Sequence, residues 1–180
     1  MKKDYFLGSL IFTLMGMLPI SSFADNSNTI EYSGTLIALP CTVEPSEQND
    51  FVWFGENINS KDLYTGLRVD REFEFYLKDC DTSLGNSISA EFKGQNVTQD
   101  GFLKVDSISE ATGVVIGLET MSGKPLPING VKVEPIYPIK DGDMTITVRS
   151  YLKGDPEAIK NRTITPGWFN ATLTYTLVYE

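Results

Sequence analysis

The stretch NTIEYSGTLIALPCTV, Asn28 to Val43, decides how the rest of the chain is read. From Ile30 the even positions run Ile30, Tyr32, Gly34, Leu36 and Ala38, all apolar or very small. Glu31, Ser33 and Thr35 alternate with them and are polar. A period of two marks a β-strand with one buried face. Ile37 and Leu39 break the polar side, so the alternation is clean only from Ile30 to Leu36. The segment lies ahead of the first cysteine and carries a glycine at its centre, which weakens a strand unless something must approach closely. It therefore raises the question of which core its even face is buried in.

What precedes this stretch reads as an export signal. Lys2 and Lys3 are followed by an apolar run from Tyr5 to Leu18 and then by Ser22-Phe23-Ala24. Small residues three and one before a cut mark a signal peptidase site, so residues 1–24 are expected to be a signal peptide and Asp25 the first mature residue. The run is interrupted by Gly8, Ser9 and Gly16 and is short for a membrane span. Of the 180 residues, 156 then remain, enough for one domain with its own core. Without Lys2, Lys3 and Asp4 the mature part has 13 basic and 23 acidic residues, a net charge of −10. Nucleic acid, which needs clustered Lys and Arg, is excluded as a partner, and insertion into a membrane is not expected. Cys41 and Cys80 are the two cysteines. In an exported chain a disulfide between them is expected, worth about 4 kcal/mol by chain-entropy arithmetic. With no further cysteine and no histidine, nothing is left to build a zinc or redox site around the pair.

Beyond Cys41 strand patterns dominate. Phe73, Phe75 and Leu77 alternate with polar neighbours, as do Ile88, Ala90 and Phe92; Val114, Ile116 and Leu118 recur at every second position, as do Met144, Ile146 and Val148, with Leu152 in the same phase. The tail GWFNATLTYTLVYE shows the same alternation in Phe169, Ala171, Leu173, Tyr175, Leu177 and Tyr179. Turn dipeptides such as Asp100-Gly101, Asn129-Gly130, Asp141-Gly142 and Pro166-Gly167 separate the runs. One helical turn is expected from Asp155, with Asp155 as cap and Pro156 at the first position. Short strands with frequent turns predict a single all-β, immunoglobulin-like sandwich. For Phe51, Trp53 and Phe54 the expectation is core packing, with a sugar-stacking platform as the alternative.

The chemistry on offer is sparse. The absence of histidine removes Ser-His-Asp and Cys-His nucleophile activation, and the acids are spread over polar strand faces and turns. Asp141-Gly142-Asp143 lacks the regularly spaced oxygen ligands of a calcium loop and reads as a turn. Neither an enzyme nor a cofactor is expected.

An alternating segment before Cys41, one disulfide, a β-domain and an alternating tail together resemble the pilin subunits of the bacterial chaperone–usher pathway. The likeness is carried by SGTLIALPCTV, by Gly167 fourteenth from the end and by the penultimate Tyr179. GFLKV, GVVIGLET and the tail look similar to the minor tip-fibre and adaptor subunits of P-type pili. The resemblance implies an incomplete immunoglobulin-like sandwich over 41–180 that lacks its last strand, preceded by an N-terminal extension over 25–40. A periplasmic chaperone would lend a strand to the groove beside the C-terminal strand, made of Gly167, Phe169, Ala171, Leu173, Tyr175, Leu177 and Tyr179. At the outer-membrane usher the extension of a neighbouring pilin subunit would replace it. Ile30, Tyr32, Gly34, Leu36 and Ala38 would then face a neighbour's core, and Gly34 would sit over a tight part of its groove. Burying Ile30, Tyr32 and Leu36 supplies roughly 5–8 kcal/mol as an upper estimate. The implied destination is a cell-surface pilus of one or several subunit types. The competing expectation is a self-contained secreted β-sandwich that binds carbohydrate, which needs neither a donor strand nor a terminal β-motif.

Overall fold

A computed structural model describes residues 31–44, 51–131 and 137–180, so the expected signal peptide, Asp25 and Ile30 lie outside the described residues. The chain divides into two units, Met1–Leu36 and Ile37–Glu180. In the first, residues 31–36 are exposed and belong to no strand.

The second unit is built around a long antiparallel pair. β2 (Val69–Cys80) lies against β7 (Gly142–Gly154) with Phe73 opposite Val148, Phe75 opposite Ile146 and Leu77 opposite Met144. The alternation in both sequences thus turns one shared face inward, and Phe75, Leu77, Ile146 and Val148 are buried there. β5 (Val114–Thr120) pairs with the other side of β7, and β4 (Leu103–Lys104) pairs with β5. β1 (Thr42–Glu44) pairs with the far side of β2. The sheet order is β1-β2-β7-β5-β4. A second sheet contains β6 (Tyr137–Pro138), β3 (Ser87–Gly94) and β8 (Leu173–Tyr179), in the order β6-β3-β8. Ile88, Ala90 and Phe92 of β3 join Phe75, Leu77, Ile146 and Val148 in one core, which makes the two antiparallel sheets a sandwich.

β5 departs from the expected one-sided strand, because all seven of its residues are buried. Its outer face is closed locally. A side chain at Gly117 would run into the Tyr151 ring, and Glu119 is clamped by two arginines. The Cys41–Cys80 disulfide is present and joins the start of β1 to the end of β2. The predicted helical turn is α2 (Pro156–Asn161): the Asp155 carboxylate accepts from the amides of Glu157 and Ala158 at 2.9 and 3.3 Å. A shorter helix, α1 (Ser60–Tyr64), is capped by Asn59 and buries Leu63. Asp141-Gly142-Asp143 is a turn into β7. Its carboxylates accept from Thr82 and Lys78, and among the described residues no cluster of three or more His, Cys, Asp or Glu is placed to hold a metal ion.

Candidate functional site

The inward residues of β3 and β8 face the same core, yet only those of β3 are fully covered. Phe92 is 0 % exposed, whereas Tyr175, directly opposite it, is 42 % exposed. Leu173, Leu177 and Tyr179 are only half-buried although they pack against the core. The cause is topological: β8 pairs with β3 on one side, and among the described residues no strand pairs with its other side. An unpaired edge next to incompletely covered apolar side chains is a template for another strand.

The predicted C-terminal strand began at Gly167; the ladder with β3 begins only at Leu173. β3 ends at Gly94, opposite Leu173, and residues 168–171 turn their hydrogen bonds to another loop. The amides of Glu110 and Ala111 both donate to the Trp168 carbonyl at 3.0 Å, and the Asp106 amide donates to that of Asn170 at 2.7 Å. Gly167 makes this departure possible. Its φ is +149°, and a Cβ there would lie 2.5 Å from that of Glu110 and 3.0 Å from the Ala111 nitrogen. Phe169 and Ala171 still pack against the core, as half-buried residues in line with Leu173.

Beside this edge runs a cleft of about 830 Å³. Phe75, Ile116 and Leu152 lie at its floor, Phe169 and Leu173 on the β8 side, and Phe54 on the other. Phe54 and Phe169 approach with ring centroids 6.2 Å apart. Neither wall near these rings is part of a sheet, and each is pinned by a side chain that sequence periodicity did not single out. The Arg71 guanidinium donates to the carbonyls of Trp53 at 2.9 Å and Phe54 at 2.6 Å. The Tyr64 hydroxyl accepts from the Ile164 amide at 2.9 Å. The floor is apolar, and its polar member, Ser150, spends its hydroxyl on the Arg71 carbonyl at 3.0 Å. Such a site suits an extended peptide with alternating apolar side chains better than a charged or catalytic ligand.

Phe51, Trp53 and Phe54 were expected to pack together in the core; only Phe54 does. Residues 51–54 alternate, so Val52 and Phe54 turn inward while Phe51 and Trp53 stack outward with centroids 6.1 Å apart. Trp53 is 58 % exposed against 6 % for Phe54. The parity of Val52 and Phe54 was the available signal. On the opposite, outer face of the larger sheet, Glu119 is held by Arg68 at 2.8 Å and Arg149 at 3.1 Å. The hydrogen bond from Arg68 holds the Glu119 carboxyl below the usual glutamate range, and that from Arg149 adds to it.

Of the predicted donor residues, Tyr32, Gly34, Leu36 and Ala38 are exposed, Leu36 fully, and among the described residues no strand pairs with 31–39. Nothing lies within 4 Å of the position a Cβ on Gly34 would take. At the C-terminal end of β8 the Tyr179 hydroxyl donates to the Cys41 carbonyl at 3.4 Å, and burial pushes its pKa up. The root of the N-terminal extension is thereby placed at that end of the edge.

The chain is similar to Fimbria A protein of Serratia marcescens, 26 % identical over 166 residues that cover 92 % of each chain. It is also similar to the fimbrial adapter PapK of Escherichia coli, 24 % identical over 86 % of this chain and 89 % of that one. In fold it resembles the P pilus rod subunit PapA, with a TM-score of 0.67 at 19 % identity, over 79 % of this chain and all of that one. That likeness shows the same immunoglobulin-like sandwich. The relatives are structural fimbrial proteins, not enzymes. The family described as Fimbrial protein matches residues 30–180, and this chain belongs to it.

Proposed function

We propose that this chain is a structural subunit of a surface pilus that joins its neighbours by exchanging strands, and that it belongs to the tip fibre as a minor or adaptor pilin. The observation that carries the proposal is the edge of β8, open among the described residues, beside an apolar cleft, in a chain whose exposed segment 31–39 pairs with no described strand and alternates as far as Leu36. The even face of Ile30, Tyr32, Gly34, Leu36 and Ala38 of one subunit fills the cleft of another and completes its sandwich. Tyr175, Leu173, Ala171 and Phe169 are the side chains it covers. Before assembly the same cleft is covered by a strand from a periplasmic chaperone, which the outer-membrane usher replaces with a neighbouring pilin. Residues 1–24 direct export and are removed. The tip-fibre assignment is supported by the likeness to an adapter, while a likeness to the Major MR/P fimbria protein of Proteus mirabilis keeps a major-subunit role as the competing outcome.

Thermal unfolding of two chains tests the strand-exchange reading. One is Pro40–Glu180; the other is the same chain followed by a flexible linker and a copy of Asn28–Leu39. The incomplete domain is expected to aggregate or melt early, and the appended one to melt cooperatively at a much higher temperature. Equal stability of the two would instead favour a closed, self-contained sandwich.

A further inference from the structure

The cleft accounts for one face of the extension, and the other face is not uniformly polar. Ile37 and Leu39 stand at odd positions, opposite Leu36 and Ala38, and both are exposed. The rim of the cleft carries a matching set. Phe51 and Trp53 point outward from 51–54, and across the cleft Trp168 is exposed immediately before the inward-packed Phe169.

The ends of the cleft fix which part of an inserted strand meets that rim. Pro40 and the Glu180 carbonyl both flank Gly85, and Tyr179 reaches the Cys41 carbonyl, so the C-terminal end of β8 is occupied by the chain's own root. A donor continues from its Leu39 into its own folded body, which therefore needs the opposite end, at Trp168. The inserted strand then runs antiparallel to β8, the sense of every strand pair in the two sheets. Lengths agree: ten residues from Ile30 to Leu39 span roughly 33 Å, and the edge from Phe169 to Tyr179 roughly 36 Å. With its even side chains turned to the core, such a strand brings Ile37 and Leu39 out on the solvent face at the Trp168 end. There they lie between Phe51 and Trp53 on one flank and Trp168 on the other, as outward cross-strand neighbours.

We infer that this aromatic rim is a docking surface for Ile37 and Leu39 of a second copy of the chain. The inference rests on the strand-exchange reading and adds to it a contact outside the groove. A second copy is the occupant because this chain carries both halves, the aliphatic pair and the aromatic rim, at opposite ends of one subunit. The contact is head-to-tail and leaves a free half at each end of any assembly.

The test follows self-association of the full chain, refolded at increasing concentration, by size-exclusion chromatography with light scattering, and then the dissociation rate of the multimers on dilution. The variants are Ile37→Ser with Leu39→Ser, Trp53→Ala with Trp168→Ala, all four together, and Leu36→Asp. Ile37 and Leu39 lie outside the core, so their pair tests the contact even if the tryptophan pair perturbs folding. Each pair is expected to raise the dissociation rate about tenfold, and the quadruple variant to raise it little further. Leu36→Asp is expected to abolish association. Wild-type rates in both pairs, alongside loss of association in Leu36→Asp, would overturn the rim contact and leave strand exchange standing. Fully additive effects would show two independent strips and overturn it as well. Normal association of Leu36→Asp would instead bring down strand exchange itself. A wild-type chain that stays monomeric at all concentrations would overturn the second copy as occupant.

Discussion

At Gly167 a residue type is dictated by backbone conformation and by space together. Its φ of +149° and the 2.5 Å approach to the Glu110 Cβ leave no room for a side chain. Gly167→Ala is expected to lower stability by about 1–3 kcal/mol, read as a drop in melting temperature, because residues 168–171 must lift from the loop at 106–111. Gly34 is the contrasting case: open space surrounds it in the free chain, so Gly34→Ala should leave the melt of the unassembled protein unchanged. Its effect should appear only in assembly, as slower multimer formation. Glu119 supplies a pH-dependent term. Its side chain is 10 % exposed between Arg68 and Arg149, with Arg68 itself 37 % exposed. Glu119→Gln should cost about 1–2 kcal/mol, less than a fully buried pair because solvent screens Arg68. A carboxyl with a depressed folded pKa contributes stability that is fully present above the ordinary glutamate value of about 4.3 and lost as pH falls through the folded one. The gap between wild-type and Glu119→Gln melts should therefore be constant above about pH 5 and shrink below about pH 4. A gap that widens on acidification would contradict this sign.

Among the elements, the segment 51–56 is the wall of the cleft with the least regular structure, held by the two bonds from Arg71. Arg71→Met keeps the aliphatic stem and removes both bonds. Amide exchange over 51–56 should accelerate about tenfold while β2 and β7 stay protected, read by hydrogen exchange with mass spectrometry. Unchanged exchange would mean that Phe54 packing alone holds the wall. The same element shows what the sequence made legible. β2, β3, β7 and the final strand follow from period-two patterns, because each buries one face against a single shared core. β5 defied that pattern because its outer face is closed by Tyr151 and by the Glu119 clamp, contacts formed across strands far apart in sequence. α1, with five residues, is too short to show a helical period. The late start of β8 was hidden because Phe169 and Ala171 keep the alternation while their neighbours bond to the 106–111 loop. Arg71 and Tyr64 act through backbone carbonyls and amides, which leave no trace in hydrophobic periodicity.

For the whole molecule, the proposed strand exchange would make stability a matter of mass action. On that proposal the sandwich gains its last strand from another chain, so its folded form is favoured by a logarithmic function of the donor concentration. Each tenfold rise in protein concentration adds at most about 1.4 kcal/mol. For a domain of this size that corresponds to a rise in melting temperature of about 3–5 °C per decade. The full chain, which carries the proposed donor segment, should show this dependence. A chain carrying an additional copy of Asn28–Leu39 after Glu180 is completed within itself, and its higher melting temperature should not move with concentration. An open, head-to-tail contact of the inferred kind would add a further signature: association of the full chain should yield a ladder of sizes rather than a closed dimer. Differential scanning calorimetry at three concentrations, paired with light scattering on the same samples, separates the cases. A flat melting temperature and a single monomer peak for both chains would mean that the edge of β8 needs no partner.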